Sequence, residues 1–287
     1  MRQKKNHLYF CVCNSVSISI FVFTSAFFSP YVYAFSIAGL DDNGDYAFSG
    51  GAKFTSARNA LLNPANFGKS GVVNQSITLL PDILGEITTE KLVQVDLLVL
   101  GVGNQRSYSP SEANALYHFV HDGGNLLFSS DVGINFGRQA NSLSAAFRVF
   151  YNEFDFNGTV NSGPSLTIDA MSHPLVNGPF GVSEFVPGAS GSILSIDNGL
   201  SIASIAAGVS AGRSFMLLQD MQTGFPGIGK AIWLSDNNLF SNDSDLFSEN
   251  ETLFLNTMAY LVPEPCTLCI LGLGVLGLRS RQGIKVD

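Results

Sequence analysis

The sequence predicts an α/β domain built on a single, mostly parallel sheet with flanking helices. Three observations support this class. Several apolar runs are short and nearly continuous, which is typical of strands buried on both faces. One segment of about forty residues has the order strand, helix, strand, which implies a parallel sheet with a right-handed crossover. Both ends of the chain of 287 residues differ in composition from the middle, so that the domain occupies residues 35–261.

The first 34 residues have the composition of a secretory signal peptide. Met1–Lys5 carries three positive charges and no acid, and an apolar stretch follows from about Leu8 to Phe28. Val32-Tyr33-Ala34 then supplies compact residues at the positions that signal peptidase recognises. We therefore expect cleavage after Ala34. A retained membrane helix is the alternative, and four polar residues between positions 14 and 19 favour cleavage.

Cysteine and charge limit the chemistry of the domain. The four cysteines lie at positions 11, 13, 266 and 269, so residues 35–261 contain none. This excludes a disulfide, a thiolate nucleophile and a cysteine metal site within the domain. Between Phe35 and Val262, 21 Asp and Glu against 9 Lys and Arg give a net charge of −12. Such a domain repels phosphate backbones, so we expect no nucleic-acid partner; we also predict no cofactor and no metal.

The first elements are short. Asp41-Asp42-Asn43-Gly44-Asp45 has no EF-hand spacing, so Asn-Gly among aspartates predicts a turn, with a calcium loop as the alternative. A helix is predicted from about Ser56 to Leu62, where Asn63-Pro64 ends it. A β-branched run from Val72 to Leu80 follows.

The strand–helix–strand unit runs from Leu92 to Asp131. Val95–Gly101 is a continuous apolar run that predicts a buried strand. Ser109-Pro110-Ser111-Glu112 predicts a helix start, with Ser109 as cap and Glu112 closing a capping box. The spacing i, i+3, i+4, i+7 from Ala113 to Val120 gives the helix one apolar face. Asp122-Gly123-Gly124 ends it, and Asn125–Asp131 is the next predicted strand.

The remaining pattern is looser. We predict a helix over Leu143–Tyr151 and a final helix that opens with the capping box Ser248–Glu251 and ends near Leu261. Short or buried strands are predicted at Ser165–Asp169, Ile193–Ile196, Ser201–Ala206, Phe215–Leu218 and Ala231–Leu234. No repeat or internal linker is visible, which indicates one domain.

Five segments together resemble the class I glutamine amidotransferase-like superfamily, in particular its non-amidotransferase, flavodoxin-like members. They are VDLLVLGVG, SPSEANALYHFVHDGGNLLFSSD, SHPLVNG, GKAIWLSDNNLF and NETLFLNTMAYL. The likeness covers roughly residues 50–261 and implies a flavodoxin-like sheet. Catalytic members place a cysteine on a strand-to-helix turn, where this chain has Ser129-Ser130-Asp131-Val132-Gly133. Amidotransferase activity is therefore not expected.

Other motifs match the sequence of a catalytic pattern but lack the structural context that the pattern requires. Gly208-Val209-Ser210-Ala211-Gly212 fits the nucleophile elbow G-x-S-x-G, but a strand follows it and no histidine lies beyond His173. The G-x-G-x-x-G match at residues 272–277 has no room for a βαβ unit. His118 and His121 are spaced i, i+3 on the predicted helix and could hold a metal, but His118 points away from the apolar face, and neutral surface histidines are favoured.

Polar residues follow the predicted strands and form the candidate ligand-binding site. In open parallel sheets ligands bind outside the carboxyl ends of the strands. Carboxylates and amides there would suit a sugar or a cation; the alternative is that they cap the following helices and loops. The candidate residues are Asn104, Ser130, Asp131, Asp220, Asp236 and Asn237.

Residues 262–287 form the tail, with an uncharged apolar segment at 266–278. Thirteen helical residues span about 20 Å, which is short for a hydrocarbon core of about 30 Å. Pro263-Glu264-Pro265, the apolar segment and Arg279-Ser280-Arg281 resemble the PEP-CTERM sorting signal. The resemblance implies recognition of Pro263, Glu264 and Pro265 by an exosortase in Gram-negative bacteria that often make exopolysaccharide, with Arg279 and Arg281 retained on the cytoplasmic side.

Two functional classes remain. In the first, the protein is exported across the inner membrane, anchored transiently by its tail, and released to the cell surface or extracellular matrix as a non-catalytic binding or structural module, with exopolysaccharide as a candidate partner. In the second, it is a hydrolase of exopolysaccharide or a related polymer with a site at the strand ends. The missing cysteine and the lack of a usable Ser-His pair favour the first class.

Overall fold

The computed structural model describes residues 34–101, 106–155, 157, 163–196, 198–243 and 246–262. The predicted signal peptide up to Tyr33 and the sorting signal from Pro263 onward lie outside these residues. The described residues form five α-helices and twelve strands. The helices are α1 (Thr55–Leu62), α2 (Thr89–Leu92), α3 (Pro110–His121), α4 (Ile134–Ser144) and α5 (Leu246–Leu261). The strands are β1 (Phe35–Ala38), β2 (Ile77–Leu79), β3 (Leu97–Gly101), β4 (Asn125–Ser129), β5 (Val149–Tyr151), β6 (Leu166–Ile168), β7 (Asn177–Gly178), β8 (Gly181–Val182), β9 (Ile193–Ile196), β10 (Leu200–Ile205), β11 (Ser214–Gln219) and β12 (Ala231–Leu234).

Ten strands form one sheet in the order β2-β1-β3-β4-β12-β11-β10-β6, with β9 beside β11 and β5 beside β9. The first five strands in this order are parallel to one another. The remaining pairings are antiparallel, so that β5, β6 and β11 run against the other seven strands. The predicted α/β class with a large, mostly parallel sheet and flanking helices is therefore confirmed.

Two hydrophobic clusters cover the two faces of the sheet. One contains α1 and α5, whose Phe254, Met258 and Leu261 are all fully buried, as the predicted apolar face requires. The other contains α3 and α4 and includes Trp233, which packs against Phe128 and Phe147 and donates from Nε1 to Gln219 Oε1 at 2.9 Å. Alternate residues of the central strands enter opposite clusters, which is why the middle of each of these strands is apolar on both faces.

The start of α3 forms as predicted. Ser109 Oγ accepts from the Glu112 amide at 3.2 Å, and Glu112 Oε2 accepts from the Ser109 amide at 2.9 Å, which completes the capping box. The Ile87 amide also donates to Glu112 at 2.9 Å, so this carboxylate ties the loop before α2 to α3. Local side-chain chemistry therefore fixes where the crossover helix begins.

Two predicted helices have different bounds. The predicted helix over Leu143–Tyr151 is wrong, because α4 begins at Ile134, directly after Gly133 with φ 94°, and ends at Ser144. Arg148 takes a left-handed φ of 58°, and the alternating exposure of Val149–Tyr151 is that of a strand. The capping box predicted at Ser248–Glu251 does not open α5, since Leu246 and Phe247 are already helical and buried against the core.

No helix in the described part of the chain is long and apolar enough to cross a bilayer. The apolar segment 266–278, on which the prediction of a membrane anchor depends, lies outside that part.

Candidate functional site at the carboxyl edge of the sheet

The edge at which β1, β3, β4 and β12 end is called here the carboxyl edge. It brings together four of the six predicted site residues. Ser130 and Asp131 follow β4, and Asp236 and Asn237 follow its parallel neighbour β12. Ser129 Oγ donates to Asn237 Oδ1 at 2.8 Å, which joins the two strand ends.

Asp236 is almost fully buried, and backbone amides occupy both of its carboxylate oxygens. Oδ1 accepts from the Asn238 amide at 2.8 Å, and Oδ2 accepts from the Gly188 amide at 2.7 Å. Burial, reinforced by the charge of Asp131, raises the pKa of Asp236 to about 7 against these amide hydrogen bonds. The carboxyl group therefore holds the loop at Gly188 against the end of β12 and caps the turn that follows β12. Capping was the alternative to ligand binding in the sequence analysis.

Asp131 and Ser130 differ in their access to solvent. Asp131 is partly exposed, accepts from the Val132 amide at 2.7 Å, and has its pKa raised by burial to about 6. Ser130 is fully buried, and its Oγ has no hydrogen-bond partner among the described residues. Ser130 thus lies on the turn from β4 to α4 without a path to a substrate in solution.

Three further polar residues lie beside these acids and were missed by the sequence analysis. Tyr46 donates from its hydroxyl to Asp243, and Lys53 pairs with the same carboxylate. Burial and the hydrogen bond to Asp243 raise the pKa of Tyr46 well above its ordinary value, and the charges of Asp131 and Asp236 act in the same direction. Tyr46 could have been predicted, because the turn Asp41–Tyr46 follows β1 and β1 ends at the same edge.

Asp220 does not join this group. It follows β11, which pairs antiparallel with β12 through Gln219 and Ala231, so its end lies at the opposite edge of the sheet. There Asp220 accepts from the Thr223 amide at 2.9 Å and from the Tyr260 hydroxyl at 2.5 Å. The expectation that all six residues converge is therefore wrong for Asp220. Asn104 lies outside the described residues.

A small cavity lies beneath the carboxyl edge. Its volume is about 20 Å³, which is room for about one water molecule. Ser129, Asp236 and Asn237 contribute its polar wall, and the rest of the lining is apolar: Phe48, Phe54, Val99, Leu127, Leu234, Phe240 and Phe254. A space of this size and character does not hold a sugar ring.

The other sequence motifs have structural roles. Ser210 of the G-x-S-x-G match is fully buried and donates to Asp155, which also accepts from Ser192 and, at 2.8 Å, from Arg213. Burial opposes ionisation of Asp155, but these hydrogen bonds outweigh it and lower its pKa. Asp41–Tyr46 forms a 3₁₀ turn. Across the described residues no group of three or more His, Cys, Asp or Glu side chains is arranged to hold a metal ion.

The fold and this edge define an α/β sheet protein with a small, aromatic-lined cavity beneath its carboxyl edge. No protein-family model matches the chain, and no curated protein matches it. Among solved structures, the chain is similar to "mmIFT52 N-terminal domain" with a TM-score of 0.56 at 17% identity, covering 79% of this chain and 96% of that one. It is also similar to a putative ThuA-like protein from Bacteroides uniformis ATCC 8492, with a TM-score of 0.51 at 11% identity over 82% of this chain and 94% of that one. At these identities the likeness shows the fold alone.

Proposed function

We propose that the chain is an exported, non-catalytic protein of the cell surface or extracellular matrix. In this proposal residues 35–261 are a binding or structural module, and an exosortase sorts the protein through Pro263-Glu264-Pro265. The observation that carries the non-catalytic part is the closed carboxyl edge. Both oxygens of Asp236 are occupied by backbone amides, and the adjoining cavity has a volume of only about 20 Å³.

The sheet order supports a flavodoxin-like, degenerate amidotransferase-like domain. The parallel strands β2-β1-β3-β4-β12 follow the order 2-1-3-4-5 of a doubly wound flavodoxin-like sheet if β12 is counted as the fifth. On the turn after β4, Ser130 is fully buried where a catalytic nucleophile must be exposed. A hydroxyl that a substrate cannot reach does not replace the missing cysteine.

The ends of the folded domain support the proposed processing boundaries. Phe35 is the first residue of β1, is buried, and donates its amide to Ser76 at 2.8 Å. Among the described residues the sheet begins at Phe35, so cleavage after Ala34 would leave β1 intact. At the other end, α5 finishes at Leu261, two residues before Pro263. A processing enzyme could act on the motif without unfolding the last helix.

The test is to express the chain in a Gram-negative host with and without an exosortase and to measure the mass of the product. We expect the exosortase to convert the chain to a form that lacks the apolar tail, and we expect Glu264→Ala to block the conversion. Glu249→Ala, an exposed substitution on α5, is the matched control and should be processed like the wild type. An intact tail in the presence of the exosortase would contradict the sorting proposal.

One observation favours the alternative, a hydrolase of exopolysaccharide. Asp131 and Asp236 are two neighbouring acids with pKa values raised to about 6 and about 7, and such pairs often mark catalytic sites. Asp131 is the member with access to solvent. If the domain cleaves polymer from the producing host, Asp131→Asn must abolish the release of reducing ends; the absence of release by the wild type removes this alternative.

A further inference from the structure

Three large exposed apolar side chains lie at the edge of the sheet opposite the carboxyl edge, where α5 ends. Met171 and Met221, which follow β6 and β11, are 65% and 64% exposed, and Ile228, whose amide donates to the carbonyl of His121 at the end of α3 at 3.0 Å, is 67% exposed. We call these three residues the exit face, because the described chain ends beside them at Val262. Exposed apolar groups at one place on a surface mark contact sites more often than single exposed residues do.

Tyr260, in the last turn of α5, connects the three side chains. Its hydroxyl donates to Asp220, the residue before Met221, at 2.5 Å. The centroid of the Tyr260 ring lies 4.1 Å from Nζ of Lys230, which is two residues after Ile228. The same centroid lies 5.0 Å from the ring centroid of His173, which is two residues after Met171. Each exit-face residue is therefore within two positions of a residue that contacts Tyr260.

The short connection between α5 and the apolar segment limits how far the exit face can lie from a membrane that holds this segment. Three residues lie between Val262 and Cys266, the first residue of the apolar segment. The four Cα-to-Cα steps from Val262 to Cys266 span at most about 14 Å when fully extended. If the segment is inserted in a bilayer, the end of α5 is held within about this distance of the membrane surface, where tethering replaces a bimolecular encounter by a local one.

We propose that the exit face lies against the bilayer while the tail is anchored, with Met171, Met221 and Ile228 entering the interfacial region. This inference rests on the proposed membrane anchoring of the tail. Apolar side chains at an interface bury about 5–10 Å into the boundary between headgroups and acyl chains. Since the domain carries a net charge of −12 between Phe35 and Val262, the lipid it suits is zwitterionic rather than anionic.

The carboxyl edge supplies matched controls for a test. Val209 and Phe154 are 80% and 76% exposed, respectively. Val209 lies between the end of β10 and the start of β11, and Asp155, which follows Phe154, accepts from Ser210 on the same loop. Both are thus exposed apolar residues at the edge that faces away from the end of α5. The only native tryptophan, Trp233, is fully buried and gives a constant background.

The experiment places single tryptophans in the full chain by Ile228→Trp, Met221→Trp, Val209→Trp and Phe154→Trp. Each protein is reconstituted into phosphatidylcholine vesicles, with or without bromine on the acyl chains, and vesicle flotation is measured alongside fluorescence. Bromine quenches indole emission only at short range. We expect about twofold quenching at positions 228 and 221, as for a side chain at the acyl boundary, and none above background at positions 209 and 154.

The outcomes separate the two proposals. If the chain floats with vesicles and the four positions are quenched equally, the exit-face inference is overturned and membrane anchoring stands. If the chain does not float, anchoring fails and the inference fails with it. A blue shift at positions 228 and 221 that depends on protein concentration and not on bromine would show that a second copy of the chain covers the face, which also overturns the inference.

Discussion

Replacing Asp236 by Asn should change how the stability of the protein depends on pH. The folded state raises the pKa of Asp236 to about 7, against about 3.9 for an unfolded aspartate. Between these values the folded chain binds more protons than the unfolded chain, so stability falls as pH rises. In Asp236→Asn the side chain stays neutral, and this contribution disappears.

The expected magnitude follows from the pKa difference. A difference of about 3 pKa units corresponds to about 4 kcal/mol in the free energy of unfolding across the whole range, or at most about 1.4 kcal/mol per pH unit. From pH 7 down to pH 5 the wild type should therefore gain about 2–3 kcal/mol from Asp236. The residual slope in the variant would come from Asp131, whose pKa is about 6.

The assay is equilibrium urea unfolding of the full chain between pH 5 and 8, followed by the emission of Trp233. Asp155→Asn is the control, because the pKa of Asp155 is lowered and its carboxylate is ionised in both states above pH 5. That variant should lose stability equally at every pH in the window. A wild-type slope in Asp236→Asn would refute the assignment of a raised pKa to this buried carboxyl.

Two further substitutions test the packing and the buried network. A Cβ at Gly229 would lie 2.0 Å from the backbone oxygen of Gly124, whereas a Cβ at Gly101 would lie 2.2 Å from the side-chain oxygen of Asn237, which can move aside. Gly229→Ala should therefore lower the free energy of unfolding by about 3 kcal/mol or more, and Gly101→Ala by about 1 kcal/mol. Urea unfolding measures both losses, and equal losses would contradict this account. Ser210→Ala removes one donor to a buried carboxylate and should cost about 1–3 kcal/mol, measured as a lower thermal midpoint; an unchanged midpoint would argue against the network.

The elements predicted correctly are those encoded by neighbouring residues. The start of α3 needs only Ser109 and Glu112, whose side chains bond each other's backbone amides three positions apart, and Pro110 at the first helical position. The buried strand β3 and the centre of β4 are apolar on both faces because their two faces enter different clusters, and that pattern is visible without knowing which helices cover them. The bounds of α5 were harder, since Leu246 and Phe247 become helical through burial rather than through the later Ser248–Glu251 pattern.

The direction of β11 was missed for a physical reason. Phe215–Leu218 has the same apolar pattern whether the strand is parallel or antiparallel to its neighbours, because burial on both faces sets the pattern. The connection to β12 was informative nevertheless. It has eleven residues, from Asp220 to Lys230, and contains a 3₁₀ turn but no α-helix. A parallel crossover needs a dozen or more residues, usually with a helix, so this length favoured an antiparallel pair and would have placed Asp220 at the other edge.

This reversal of β11 also determines what each edge of the sheet can do. Because β11 ends away from the carboxyl edge, its terminal Asp220 meets Tyr260 at the end of α5 instead of Asp131 and Asp236. Among the described residues of the carboxyl edge, backbone amides occupy both oxygens of Asp236, and aromatic side chains line the small cavity beside it. The opposite edge gains the contact that fixes the last turn of α5 beside the exit face. The antiparallel pairing thus places the end of β11 where Asp220 accepts the hydrogen bond from Tyr260 in the last turn of α5.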